Sequence, residues 1–154
     1  MSCDSHTDMD VVVQIRKIDA SGRLLAHANI PAPVPVQDLP DANVVKYFGP
    51  CGILRASHSV SQLPRKSEEE PPNYSHKSAE PVPTGTKVAL EIPIWPIGMV
   101  FEECEGVAVI VAGHDLTPPD VGSPPPEPAD ANLGKHTIYA GPETESFLML
   151  PVIS

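Results

Sequence analysis

Three histidines at the ends of predicted strands are the side chains of this sequence best suited to chemistry. His58 closes one predicted strand, His114 follows a second, and His136 begins a third. Imidazole titrates near neutral pH, so it serves as an acid, a base or a metal ligand. If these strand ends meet at one end of the fold, the three residues form a candidate catalytic site. No metal-ligand spacing surrounds them, which favours the alternative that each ring only hydrogen-bonds a loop carbonyl.

Three further side chains are candidates for binding a substrate. Trp95, Met99 and Tyr139 are large and mostly apolar, and they suit the wall of a hydrophobic pocket. A single tryptophan on a central strand is more often part of the core, so core packing is the alternative for Trp95.

Hydrolysis by this chain alone is not predicted. A serine hydrolase needs an activated serine, a base and an oxyanion hole, and the sequence has no GxSxG motif. Ser57 and His58 are adjacent in a predicted strand, where neighbouring side chains point to opposite faces, so they are not expected to pair. Cys51 and Cys104 are predicted to be small buried side chains rather than nucleophiles, because no cationic residue adjoins either one.

An acidic patch precedes the first predicted strand. Asp4, Asp8 and Asp10, with His6 among them, offer oxygen ligands of the kind that calcium prefers. Alternate aspartates are also ordinary residues at a strand entry, and we favour that interpretation. We predict neither a bound metal nor a cofactor.

Composition favours an all-β fold and excludes some partners. Of the 154 residues, 20 are prolines, a fraction well above the average proline content of about 5%. Proline at this density suppresses long helices. The formal net charge of -10 disfavours nucleic acid and anionic membranes as partners. No apolar run is long enough to span a bilayer, and no secretory signal is evident, so a cytoplasmic location is expected.

Short strands and turns account for most of the chain. Residues 11–18 are rich in β-branched side chains and predict a strand, with a turn at 19–22 and a returning partner within 23–30. Residues 87–101 alternate between apolar and other side chains, and they predict a central hairpin with 107–112. Two proline-rich segments, 61–83 and 116–130, predict long exposed loops. We therefore expect a single β-sandwich domain over 1–154, with jelly-roll topology.

Several blocks in a fixed order resemble the C-terminal domain of the cocaine-esterase and X-Pro dipeptidyl-peptidase family of serine hydrolases. They are DMDVVVQIRKID, GILRASHS, VALEIPIWPIGMVFEE, VAVIVAGHD and NLGKHTIYAGPETESFLMLPVI. The resemblance implies a galactose-binding-like jelly roll packed against an α/β-hydrolase domain. In that family the catalytic triad lies on the hydrolase domain, so the resemblance assigns no triad residue to this chain.

The chain departs from that family at its beginning. The family's jelly roll has one or two strands before the block that resembles DMDVVV, and here the sequence starts almost at that block. Missing strands leave an open sheet edge, which predicts either a homodimer or attachment to a hydrolase domain. The leading hypothesis is an accessory domain, stand-alone or truncated, that contacts a hydrolase through Trp95, Ile97 and Met99. The alternative is a small enzyme of secondary metabolism, an isomerase, cyclase or pericyclase, that binds a hydrophobic molecule in the sandwich or at a dimer groove.

Overall fold

Strand β2 is the element around which the main sheet is assembled. The computed structural model describes residues 1–28, 30–41, 45–67, 70–116 and 132–151. In these ranges the strands are β1 (Ser2–Cys3), β2 (Asp10–Ile18), β3 (Leu24–Leu25), β4 (His27–Ala28), β5 (Lys46–Tyr47), β6 (Cys51–Arg55), β7 (Gly106–Ala112) and β8 (His136–Thr137). Two short 3₁₀ helices, η1 (Val36–Asp38) and η2 (Ala56–Ser61), complete them. None of the helices described is long and apolar enough to cross a bilayer.

Every strand pair in the described residues is antiparallel, which confirms the all-β prediction. β2 pairs with β7 along one edge, and with β6 and then β3 along the other. Two smaller sheets pair β1 with β8 and β4 with β5. The jelly-roll topology stays a prediction.

The predicted turn after β2 is present and is well stabilised. Gly22 has a φ of 81°, a backbone conformation that residues with a Cβ atom rarely adopt. The carboxylate of Asp19 accepts hydrogen bonds from the Ser21 hydroxyl and from the backbone N–H groups of Ser21 and Arg23. These bonds stabilise the charged form and lower the pKa of Asp19 to about 2.

The core lies against one face of the main sheet, here called the core face. Because facing residues of paired strands lie on the same side, this face carries Val11 and Val13 of β2 and the three alternate valines of β7. Buried side chains from the N-terminal segment, η2 and the later loop pack with Val11; they are Cys3, Met9, Ala56 and Val82. Partly buried side chains of residues 88–92 close this cluster. The valines of β7 are not among the residues of the cluster.

The central hairpin predicted from residues 87–101 and 107–112 is wrong. Residues 87–101 form no strand, and β7 pairs with β2, which lies far earlier in the chain. Pro93 and Pro96 lack the N–H groups that a ladder requires, which explains why the apolar alternation of this segment does not produce a strand. The segment instead crosses the core face, with the Trp95 N–H donating to the Cys51 carbonyl at 3.2 Å.

Two expectations about exposure also differ from the structure. The predicted exposed loop 61–83 buries Tyr74 and Val82, and the Tyr74 hydroxyl donates to the Glu91 carbonyl at 2.6 Å. Cys104 was expected to be buried, but it is exposed in a turn with a φ of 69°. The second predicted loop, 116–130, lies outside the described residues apart from Leu116.

Gly52 allows residues 92–95 to approach the sheet. It faces Val13 in the ladder, and a Cβ at this position would overlap the carbonyl oxygen of Pro93. We predict that Gly52→Ala lowers the free energy of unfolding by about 1–3 kcal/mol, the usual cost of overfilling a packed site. Chemical denaturation measures the change. Gly98→Ala is the matched control, because no atom lies within 4 Å of its Cβ position; an equal loss in both variants would contradict the close approach.

Candidate functional site

A cleft at one end of the main sheet is lined by three of the titratable side chains considered above, namely Asp10, His58 and His114. It has a volume of about 440 Å³, and Val12 and Ile53 form part of its apolar lining. The polar residues that line it are Asp10, Arg55, His58, His76, His114 and Asp115. A cleft of this size suits a small molecule.

Two imidazole rings meet in this cleft. His58 on η2 and His76 from the following loop are joined by a hydrogen bond between their Nδ1 atoms at 2.9 Å. One ring therefore donates and the other accepts, so at least one of the two is unprotonated at that nitrogen. His76 has a positive φ of 52°, which is uncommon for a residue other than glycine, and its N–H donates to the Ser61 hydroxyl.

An ion pair forms another part of the lining. The Arg55 guanidinium donates to both carboxylate oxygens of Asp10, at 2.7 and 2.8 Å. The two residues face each other in the β2–β6 ladder, so the sheet itself sets this geometry. The carboxylate raises the pKa of Arg55 above its usual value, through its hydrogen bonds and its charge. Both groups are satisfied by each other, and neither is left as an unpaired charge.

Asn132 connects three segments at the rim of the cleft. Its Oδ1 accepts from the Asp10 N–H at 2.6 Å, and its Nδ2 donates to the carbonyls of Asp10 and Gly113. Nothing in the sequence indicated this role, because an asparagine after a proline-rich stretch has no motif around it. The contact spans 122 residues between Asp10 and Asn132, and only the folded chain brings them together.

The three aspartates of the acidic patch have separate partners. Asp8 accepts from the Ser57 hydroxyl at 2.7 Å and from the Ser57 N–H, while Asp10 binds Arg55. Asp4 accepts from the Lys135 N–H, which lowers the pKa of Asp4. Across the described residues, no three His, Cys, Asp or Glu side chains are close enough together to hold a metal ion.

Ser57 and His58 lie on the 3₁₀ helix η2, so the strand predicted at these two residues is wrong. Ser57 is buried, and its hydroxyl hydrogen is donated to Asp8 rather than to an imidazole. His58 instead contacts His76, a residue for which the sequence contains no functional motif. The contact between His58 and His76 could not be predicted from a regular spacing in the sequence, because the loop between them is irregular.

The predicted catalytic histidines are partly brought together. His58 and His114 line the same cleft. His136 lies beside it on β8: a Cβ at Gly113 would stand 3.9 Å from the His136 Nδ1, and the buried Nε2 of His136 has no hydrogen-bond partner. The imidazoles of His58 and His114 supply polar groups in the cleft that can hydrogen-bond a molecule, whereas the hydroxyl of the neighbouring Ser57 is bonded to Asp8.

The predicted substrate-binding residues do not line this cleft. Trp95 is 77% exposed, so the core alternative for this side chain is wrong. Met99 is half-buried in the same irregular segment. The Tyr139 hydroxyl is 2.9 Å from the Ser2 hydroxyl, and the Lys87 ammonium lies 4.4 Å from the centre of the Tyr139 ring. These three residues therefore belong to other surfaces of the protein.

We predict that Asn132→Ala destabilises the fold by about 1–3 kcal/mol, because it removes three hydrogen bonds, two of them to the partly buried N–H and C=O groups of Asp10. Thermal or chemical unfolding gives the value. Asn73→Ala is the control: Asn73 is exposed, and its contact to Leu63 is made by its backbone carbonyl. Similar unfolding curves for the two variants would show that Asn132 does not hold these segments together.

Comparison with known proteins identifies a matching family and a similar solved structure. The family described as the X-Pro dipeptidyl-peptidase C-terminal non-catalytic domain matches residues 1–149. A crystal structure of a CocE/NonD family hydrolase from Staphylococcus aureus is similar, with a TM-score of 0.57 and 26% sequence identity. The match covers 77% of this chain and 20% of that hydrolase, so the chain spans about a fifth of its length. A search of curated proteins found no match. These findings confirm the resemblance inferred from the sequence blocks.

Proposed function

The chain belongs to the X-Pro dipeptidyl-peptidase C-terminal non-catalytic domain family, and we propose that it is an accessory jelly-roll domain of a serine hydrolase. In this role it packs on an α/β-hydrolase domain and shapes the rim of that domain's active site. It supplies shape and contact surface, and the hydrolase domain supplies the nucleophile, the base and the oxyanion hole.

The observation that carries the proposal is an exposed apolar surface on residues 95–101. Trp95 and Val100 are each 77% exposed, and Ile97 and Phe101 also present large parts of their side chains to solvent. Apolar side chains concentrated in one exposed segment are typical of a protein interface, and tryptophan is the residue type most enriched at its centre. Trp95 is anchored through its backbone N–H to Cys51 of β6, so the sheet presents the segment in a defined position.

The hydrogen bonding of Ser57 also supports an accessory role. Its buried hydroxyl is held by the Asp8 carboxylate, while the histidine next to it in the chain bonds another histidine. A serine nucleophile requires the opposite arrangement, with its hydroxyl exposed and hydrogen-bonded to a base.

A chimera tests the docking surface. In the Staphylococcus aureus CocE/NonD hydrolase, this chain replaces the region that it matches. We predict a single cooperative unfolding transition and hydrolysis of p-nitrophenyl acetate. Trp95→Ala in the chimera should weaken the contact between the domains by about 2 kcal/mol or more, as expected for a buried aromatic anchor.

Val34→Ala in the same chimera is the control, since Val34 is exposed but lies in a different loop. It should leave the transition and the activity unchanged. Two separate unfolding transitions, insensitive to Trp95→Ala, would show that residues 95–101 do not dock on the hydrolase.

A second candidate function is favoured by the cleft itself. Because His58 and His114 line the same cleft as the apolar Val12 and Ile53, the protein has the elements of a small enzyme that binds a hydrophobic molecule and moves a proton on it. This corresponds to an isomerase or cyclase of secondary metabolism, in which shape and a few hydrogen bonds replace a triad.

Screening hydrophobic metabolites for a rise in melting temperature tests this candidate. A ligand at about 100 times its Kd stabilises the fold by about 2.7 kcal/mol. We predict that His114→Ala abolishes that stabilisation, whereas His6→Ala, which changes an exposed histidine outside the cleft, retains it. Equal shifts in both variants would place the ligand elsewhere.

A further inference from the structure

The outer edge of β7 lacks the features that protect sheet edges. β7 is bonded to β2 along one side, and no strand in the described ranges bonds to the other side. Its seven residues, GVAVIVA, contain no charge and no proline. The β2–β7 register is continuous from Gly106 to Ala112, so no bulge interrupts the edge. Charges, prolines and bulges are the usual means by which proteins prevent an edge strand from pairing with another chain.

Both faces of this edge strand are apolar. Val107, Val109 and Val111 lie on the core face and are 41%, 48% and 38% exposed. The opposite face carries Ala108, Ile110 and Ala112. A strand added beside β7 would therefore gain backbone hydrogen bonds and apolar contacts on both faces.

The strand is complementary to itself. When β7 is aligned antiparallel with its own copy about Val109, Val109 faces Val109 and Val107 faces Val111. On the other face Ala108 meets Ile110, so a small side chain lies beside a large one. Gly106 meets Ala112, and all seven residues find a partner within the strand. A two-fold axis perpendicular to the sheet keeps the valines of both copies on the same side.

The charge near the start of β7 does not oppose this pairing. Glu105 precedes the strand, but its carboxylate is 2.5 Å from the Lys17 ammonium, and this ion pair lowers the pKa of Glu105. The large negative charge of the chain acts over longer distances, and salt screens it beyond about 8 Å at physiological ionic strength.

We propose that β7 forms a homodimer interface, pairing antiparallel with β7 of a second copy about Val109. The main sheet then continues across the two-fold axis, and both copies lose their open edge. This interface uses residues other than the proposed hydrolase-docking segment 95–101, and the proposal does not depend on that function.

Opposite charges at position 109 test both the interface and its register. Light scattering after size-exclusion chromatography should give the wild-type chain twice the mass of one copy. Val109→Lys and Val109→Glu should each be monomeric, because each places two like charges opposite one another at the axis. An equimolar mixture of the two variants should recover a dimer, since lysine then faces glutamate. Val34→Lys, which adds the same charge in another loop, should remain dimeric.

Thermal melts of the separate variants verify that they are folded, which is expected because Val109 is half exposed. A monomeric wild-type chain would overturn the proposal, and so would a dimer of Val109→Lys alone. A mixture that stays monomeric would exclude pairing about Val109. A monomer that binds a family hydrolase through position 109 would assign the edge to that partner instead.

Discussion

Strand β2 is hydrogen-bonded to other strands along both of its edges, and this pairing positions most of the other elements. Of the described strands, β2 has the longest continuous ladder, and it contacts β7 on one side and β6 and β3 on the other. A strand paired on both edges places side chains alternately on two faces, and both faces of β2 are largely buried. This explains its run of valine and isoleucine. It also sets the positions of Asp10 and Val12 in the cleft and the direction in which the β7 valines point.

The core covers only part of the sheet that β2 organises. The cluster around Val11 is closed by the N-terminal segment and by residues 82–92, whereas the valines of β7 and the segment 95–101 remain exposed. Removing exposed apolar area from water is favourable, so both surfaces are suited to contact with a partner. The β7 edge and the segment 95–101 are suited to different kinds of partner. The β7 edge offers a row of backbone groups and therefore needs another strand, while residues 95–101 offer side chains and suit a groove on a folded domain.

The cleft depends on contacts between distant parts of the chain. The Asp10–Arg55 pair follows directly from the β2–β6 register, so strand pairing alone is sufficient to produce it. The other parts come from loops: His76 reaches His58 across an irregular excursion, and Asn132 joins Asp10 to the loop after β7. Membership in a non-catalytic domain family agrees with the absence of an exposed serine–histidine pair at Ser57.

The all-β class, strand β2 and the turn at Asp19 to Gly22 were predictable from the sequence, because they depend on local preferences: β-branched side chains, prolines and a glycine with a positive φ. The family followed from the order of the sequence blocks. The sequence offered a meeting of His58, His114 and His136 only as one alternative, and the structure places His58 and His114 in one cleft. The tertiary structure decided which strand pairs with β7. Residues 87–101 have the apolar alternation of a strand but lack N–H groups at Pro93 and Pro96, so the ladder formed with β2 instead. It likewise decided the exposure of Trp95 and the contacts of His76 and Asn132, since long-range packing and irregular loops have no local periodicity in the sequence.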